Sequence, residues 1–123
     1  MKKKLLLIFT LFLISFSLFA KRTPPPEVDS LIINNYEYSV YYRNSIFCGK
    51  GVLIKKDIKS GFKKSFIIYK VFYNPIKEKD VQFVFVKSMK LINEYEIEIE
   101  NEDGNIYIFK INEEKIYPKS KKV

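Results

Sequence analysis

Downstream of residue 30 the apolar positions recur at every second residue, not at every third or fourth. In YEYSVYY, Tyr36, Tyr38, Val40 and Tyr42 alternate with Glu37, Ser39 and Tyr41, the pattern of a strand with one face in a core. Arg43-Asn44 reads as a turn and Ser45 to Cys48 as the start of the next strand. Gly49 and Gly51, on either side of Lys50, predict a bulge or a site where another backbone comes close. Val52 to Lys56 continues in extended form, and Asp57 to Gly61 reads as a turn. Lys63 to Tyr73 is dense in the aromatic and β-branched residues that favour strands, and Asn74-Pro75 ends it. Val81 to Ile92 predicts a further strand. Only Gln82 is polar between Val81 and Val86, so that stretch is expected to be buried on both faces.

The stretch INEYEIEIENEDGNIYIFKI, residues 92–111, reads as a hairpin. Asn101-Glu102-Asp103-Gly104 suits a type I turn closed by a left-handed glycine, a three-residue loop with a bulge. That loop sets Asn101 against Asn105 and thereby the whole register. Tyr95, Ile97 and Ile99 fall opposite Ile111, Phe109 and Tyr107, making one apolar face. Glu94, Glu96, Glu98 and Glu100 fall opposite Asn112, Lys110, Ile108 and Ile106, with Glu96–Lys110 as a cross-strand charge pair. A slip of one residue would mix the faces.

No segment carries the caps and period of a helix; one short helical turn near Ile76 to Asp80 is the most that fits. The chain is therefore expected to be all-β, a small antiparallel β-sandwich or closed β-barrel of about six or seven strands in mainly meander order.

The first residues change the picture of where this domain works. Three lysines precede a largely apolar run from Leu5 to Phe19, followed by Ala20 and a polar stretch. This is the layout of a secretory signal peptide cleaved after Ala20. A membrane-spanning helix wants roughly 20 apolar residues, so the run is short for an anchor. A lipoprotein would carry cysteine directly after it, whereas the single cysteine is Cys48. The expected organisation is a signal peptide at 1–20, a proline-rich linker at 21–29, one all-β domain at 30–117 and a basic tail at 118–123. The expected location is outside the cytoplasm, in the periplasm, at the cell surface or secreted, in a bacterial envelope. Any membrane attachment would run through an uncleaved N-terminal segment.

Charge follows from this division. The chain carries 22 basic and 14 acidic residues, a net charge of +8. Losing Lys2, Lys3 and Lys4 with the leader brings that to +5. The excess of lysine, isoleucine and asparagine also suggests an AT-rich genome, which inflates lysine without functional meaning.

The chain has no histidine and one cysteine. Ser-His-Asp and Cys-His systems, histidine zinc sites, thiolate clusters and an internal disulfide are thereby removed. Gly49-Lys50-Gly51 lacks the rest of a phosphate loop. The six carboxylates Glu94, Glu96, Glu98, Glu100, Glu102 and Asp103 are the densest cluster, yet same-face neighbours on a strand lie roughly 6.5–7 Å apart. That is too far to clamp one small cation, and the loop does not fit an EF-hand, with Ile99 in its first ligand position. No metal and no cofactor are expected, and the chain does not read as an enzyme.

Two surfaces remain. Lys50, Lys55, Lys56, Lys59, Lys63, Lys64 and Lys70 are interleaved with Phe62, Phe66, Tyr69, Phe72 and Tyr73. In an exported protein this mixture suits an anionic envelope polymer, lipid headgroups or an acidic protein surface, not nucleic acid. Lys55, Lys56, Lys63 and Lys64 are the partner-binding candidates on that side, and Glu96, Glu98 and Glu100 on the other. Such a two-sided charge distribution would suit head-to-tail self-association. Cys48 is either buried, a free thiol or paired with another molecule. The function expected is that of a non-catalytic binding module in the cell envelope. The alternatives are an inhibitor of an extracellular enzyme and a hydrolase using carboxylates alone.

Overall fold

The computed structural model describes residues 24–119. The expected signal peptide, residues 21–23 of the expected linker and residues 120–123 of the tail lie outside the described residues. Eight strands form two four-stranded antiparallel sheets. The first contains β1 (Leu31–Ile33), β2 (Tyr36–Asn44), β3 (Cys48–Asp57) and β4 (Lys63–Phe72) in that order. The second contains β5 (Val86–Asn93), β6 (Glu96–Asn101), β7 (Ile106–Lys110) and β8 (Lys115–Lys119), also in chain order. No strand pairing joins the two sheets, so among the described residues there is no closed barrel. The all-β class and the meander order hold; the strand count of six or seven falls short of the eight observed.

Besides β8, the strand that the pattern did not mark is β1. Its hairpin to β2 turns at Asn34-Asn35, both at positive φ (49° and 68°), a conformation asparagine tolerates better than most residues. At the other end of the chain, β8 continues through Lys119, two residues past the expected domain boundary.

The core forms where the inner faces of the two sheets meet. Tyr38, Leu53, Ile68 and Tyr69 from the first pack with Val86, Met89, Ile97, Ile99 and Phe109 from the second. Aromatic contacts span the interface: Phe109 lies 6.0 Å from Tyr38 and 5.0 Å from Phe66, and Tyr69 stacks on Tyr107 at 5.6 Å. The β6–β7 register is the predicted one, with Glu96 opposite Lys110, Ile97 opposite Phe109 and Ile99 opposite Tyr107. Gly104 takes φ +82°. The Asn101 side-chain oxygen accepts from the amides of Asp103 and Asn105, at 3.1 and 3.0 Å. The inward face is less complete than expected at one end, because Tyr95 is mostly exposed.

The stretch from Val81 to Phe85 is not a strand, correcting the expectation of a doubly buried one. Asp80–Gln82 is a single 3-10 turn. Gln82, the one polar residue in the run, explains the departure. Its amide oxygen accepts from Asn74 N–H at 2.6 Å, and its nitrogen donates to the carbonyls of Asn74 and Glu78 at 3.0 and 3.1 Å. Those bonds tie the run to the preceding loop and remove it from any ladder. Phe83 and Phe85 then pack against Tyr42, at 5.6 and 5.2 Å, and close one end of the sandwich. Phe85 is further held by Glu102, whose N–H donates to its carbonyl and whose carboxylate accepts from its N–H.

A bulge lies next to Gly51, where the β3–β4 register shifts at Gly51/Val52 and Ile68 of β4 is the extra residue. What approaches Gly49 and Gly51 is not backbone but tyrosine. A Cβ on Gly51 would sit 2.2 Å from the Tyr69 ring, and one on Gly49 would meet the hydroxyls of Tyr42 and Tyr73.

The free edges are blunted against pairing with other chains. β4 carries Lys63, Lys64 and Lys70, β5 carries Lys87 and Lys90, and β8 carries Pro118. Beyond the three-residue β1, Pro25, Pro26 and Val28 approach β2 instead, lining a cavity of about 300 Å³ with Val40, Tyr41, Tyr42, Phe85 and Val86. Proline has no N–H to donate, so this segment covers the edge without extending the ladder.

Candidate functional site

Alternation along each strand sorts the charged residues by face. On the outer face of the first sheet, β2, β3 and β4 place side chains in cross-strand rows. Arg43 stands opposite Lys50, which stands opposite Lys70. The next row is Tyr41, Val52 and Ile67; beyond it come Ser39, Ile54 and Ser65, then Glu37, Lys56 and Lys63. On the other side of the cationic row, Cys48 stands opposite Phe72.

The predicted basic patch is therefore split between two faces. Lys56 and Lys63 point outward with the row just described. Lys55 and Lys64, also directly opposed, point the other way and are bridged by Glu114 from the β7–β8 turn. Its carboxylate lies 3.0 Å from Lys64 Nζ and 4.0 Å from Lys55 Nζ. Lys55 also lies 4.1 Å from the centre of the Tyr36 ring. Glu114 adopts φ +53°, a left-handed conformation that a residue with a Cβ takes at a cost, and it joins one sheet to the other. Sequence reasoning missed it because a single acid beside a turn carries no signal of its long-range partners.

Like charges directly opposed across strands are destabilising. The Lys55–Lys64 pair is offset by Glu114. Arg43, Lys50, Lys70, Lys56 and Lys63 form no ion pair with any described carboxylate. This face is net positive, with Glu37, opposite Lys56, as its one carboxylate among the strand rows just named.

The acidic row on the second sheet behaves differently. Glu98 lies 3.2 Å from Lys90 and 3.4 Å from Lys119, and Glu100 lies 3.4 Å from Lys87. The row faces outward as predicted, yet it is not a freely solvated one. Glu100 is buried and Glu98 half-buried beneath lysines of the adjacent β5 and, from across β7, Lys119 of β8. Ile106 and Ile108, their partners on β7, are buried on this outer face too, outside the central core. Burial opposes ionisation of Glu98, but hydrogen bonds and charge from Lys90 and Lys119 outweigh it and hold its pKa below the ordinary carboxylate value. Glu96 stands opposite Lys110 but does not pair with it. Asn93 donates to the Glu96 carboxylate at 2.7 Å, while Lys110 turns to Glu113 at 4.0 Å and the Tyr117 ring at 5.1 Å. Among the described residues no three of the histidine, cysteine, aspartate and glutamate side chains converge to hold a metal ion. Glu98 and Glu100 of the acidic face thus carry lysine counter-charges from the same sheet.

Cys48 is half-buried and free. The Ser45 hydroxyl donates to its carbonyl at 2.6 Å and lies 3.4 Å from its Sγ. Beneath it, Tyr42 and Tyr73 share a 2.7 Å hydroxyl contact, and Tyr73 donates to Asn44 Oδ1 at 3.0 Å. Burial and the hydrogen bond with Tyr42 push the Tyr73 phenol well above its ordinary pKa. Burial does the same to Tyr69, whose hydroxyl donates to the Val84 carbonyl. Both phenols stay neutral and act as structural ties.

No protein-family model matches the chain, and none of the curated proteins or solved structures matches it.

Proposed function

We propose that the protein is a non-catalytic binding module of the cell envelope whose first sheet docks by its outer face on an anionic partner. The observation that carries this is the Arg43–Lys50–Lys70 row. Three cations stand in direct cross-strand opposition with no described acid beside them. Each opposed pair costs a few tenths of a kcal/mol or more. The other directly opposed lysine pairs each have an acid at hand, Glu114 for Lys55–Lys64, Glu37 across from Lys56 in Lys56–Lys63, and Glu113 for Lys110–Lys115, whereas this row has none across from it. A cost without a structural return marks a surface kept for contact. Tyr41 and Ile67 on one side and Phe72 on the other add apolar and aromatic area next to the charge. Export through the N-terminal segment would set this face before the anionic polymers and surfaces of an envelope.

Retention of the protein on immobilised polyglutamate, read as the salt concentration that elutes it, tests the proposal. Arg43→Glu/Lys50→Glu/Lys70→Glu is expected to lose retention. Lys87→Gln/Lys90→Gln on the second sheet is expected to keep it, because those lysines are already committed to Glu100 and Glu98. Equal elution of both variants and the parent would end the assignment.

A further inference from the structure

Four large apolar side chains project at the end of the first sheet where β2 turns into β3 and β4 ends. Ile46 is 75% exposed, Phe47 81%, Phe72 78% and Ile76 91%. They come from two adjacent loops and a strand terminus. Tyr73 N–H donates to the Phe47 carbonyl at 3.0 Å, which fixes the β2–β3 loop against the end of β4, and Asn74 to Ile76 follow at once. The base beneath them is stiff. Ser45 N–H donates to the Cys48 carbonyl at 2.9 Å. The rings of Tyr42, Tyr73, Phe83 and Phe85 pack together at 5.2–5.9 Å. The exposed groups are thus held out in water by an ordered platform, where their burial in the body of the protein was not achieved.

One cross-strand row behind this tip stand Arg43, Lys50 and Lys70. Two residues along a strand is about 7 Å. In the loop, Lys77 and Lys79 are matched in number by Glu78 and Asp80, and Glu102 stands beside Phe85 on the second sheet's side, so the concentrated positive charge of this end is the three-cation row on the outer face of the first sheet.

We propose that this end is a docking tip for an anionic lipid bilayer. Ile46, Phe47, Phe72 and Ile76 enter the boundary between headgroups and acyl chains, while Arg43, Lys50 and Lys70 sit on the phosphates. The inference rests on the anion-binding reading of the same row. The spacing carries it: apolar groups at an interface enter about 5–10 Å below the headgroups, the distance that separates the tip from the row. A flat acidic protein surface would use the cations and leave the four apolar side chains in water. A bilayer satisfies both sets at once. Each cation near an anionic surface is worth roughly fivefold in partitioning, so three are worth on the order of 100-fold.

The chain contains no tryptophan, so Phe47→Trp creates a single reporter at the tip. Ile32→Trp creates one at the opposite end of β2, on an exposed position of β1. With vesicles containing phosphatidylglycerol, the tryptophan at position 47 is expected to shift its emission to the blue and be quenched by brominated lipid. The one at position 32 should do neither, and pure phosphatidylcholine vesicles should move neither. Because each reporter reads its own position, an apolar N-terminal segment entering the same vesicles does not imitate the result. Adding the triple glutamate substitution at 43, 50 and 70 should abolish the shift at 47.

A position-47 reporter that stays in water with phosphatidylglycerol vesicles, while polyglutamate retention is intact, overturns the bilayer inference and leaves the anionic-partner reading standing. Failure in both assays removes both. Equal shifts at 47 and 32 would mean non-specific adsorption and would equally overturn the tip.

Discussion

Gly51→Ala is the sharpest probe of how the two sheets are locked together. The added Cβ would lie 2.2 Å from Tyr69 Cε1 and 2.5 Å from Cζ, far inside contact distance. Tyr69 has nowhere to go. It is buried, its hydroxyl donates to the Val84 carbonyl, and its ring stacks on Tyr107 with an interplanar angle of 19°. Forcing one carbon into a packed site costs about 1–3 kcal/mol when neighbours can adjust. With the ring tied at both ends the upper figure applies, so Gly51→Ala is expected to lose about 3 kcal/mol in urea unfolding. For a domain near 100 residues that is roughly 12–24 °C in Tm. Tyr69→Ala alone should cost a similar amount, about 3–5 kcal/mol, through the cavity it leaves. Because the methyl then has room, the loss in the double variant should be about 2 kcal/mol smaller than the sum of the two single losses, a coupling typical of residues in contact. Strict additivity, or a Gly51→Ala loss below about 0.5 kcal/mol, would refute the close approach and with it the reason for glycine.

Three further outcomes follow from the same structure. Because the folded pKa of Glu98 lies below its unfolded value, its contribution is complete above the ordinary carboxylate pKa and is lost as pH falls through the folded one. Glu98→Gln should therefore be less stable than the parent at pH 7 and should show a shallower loss below about pH 4.3, measured by urea midpoints across pH. Asn101→Ala leaves the amides of Asp103 and Asn105 without their buried acceptor and should cost about 1–3 kcal/mol. Asn101→Asp, which keeps an acceptor, should recover much of it in the same unfolding assay. Glu114→Gly and Glu114→Gln both discharge the bridge to Lys55 and Lys64, but only glycine relieves the left-handed backbone. The glycine variant should be the more stable by about 1 kcal/mol, and the reverse order would show that Glu114 is not held in that conformation.

How much of this was legible beforehand depends on range. The β6–β7 register was, from Glu96 to Glu100, because Gly104 and the Asn101 turn fix it locally and the Ile97/Ile99 alternation admits no slip; the exposure of Tyr95 and the separation of Glu96 from Lys110 were not. The lysines that cover the glutamates were not legible, least of all Lys119, which arrives from a strand that the sequence pattern alone did not mark. Val81 to Phe85 was misjudged because burial of Phe83 and Phe85 looks the same in a strand as in an end plug, and only the Gln82 contacts distinguish them. The basic patch was found as a composition but not as a surface. Lys55 and Lys56 are neighbours in sequence and face opposite sides, and which side meets Glu114 is a fact of the second sheet. The tip was invisible for a similar reason: Ile46, Phe47, Phe72 and Ile76 are scattered apolar letters until β2, β3 and β4 bring their ends together.

The order of strands has a consequence for how the molecule forms. In both sheets every hydrogen-bonded neighbour is also the next strand along the chain, whereas β-sandwiches commonly interleave their sheets through long Greek-key crossings. Here loop closure is short at every step, and its entropy is recovered at once by the adjoining ladder. Residues 31–72 and 86–119 can each assemble their own meander without waiting for the other, leaving docking of Tyr38, Phe66 and Tyr69 onto Ile99, Tyr107 and Phe109 as the one non-local event. Folding should accordingly be fast for an all-β chain, and core substitutions across that seam should speed unfolding far more than they slow folding.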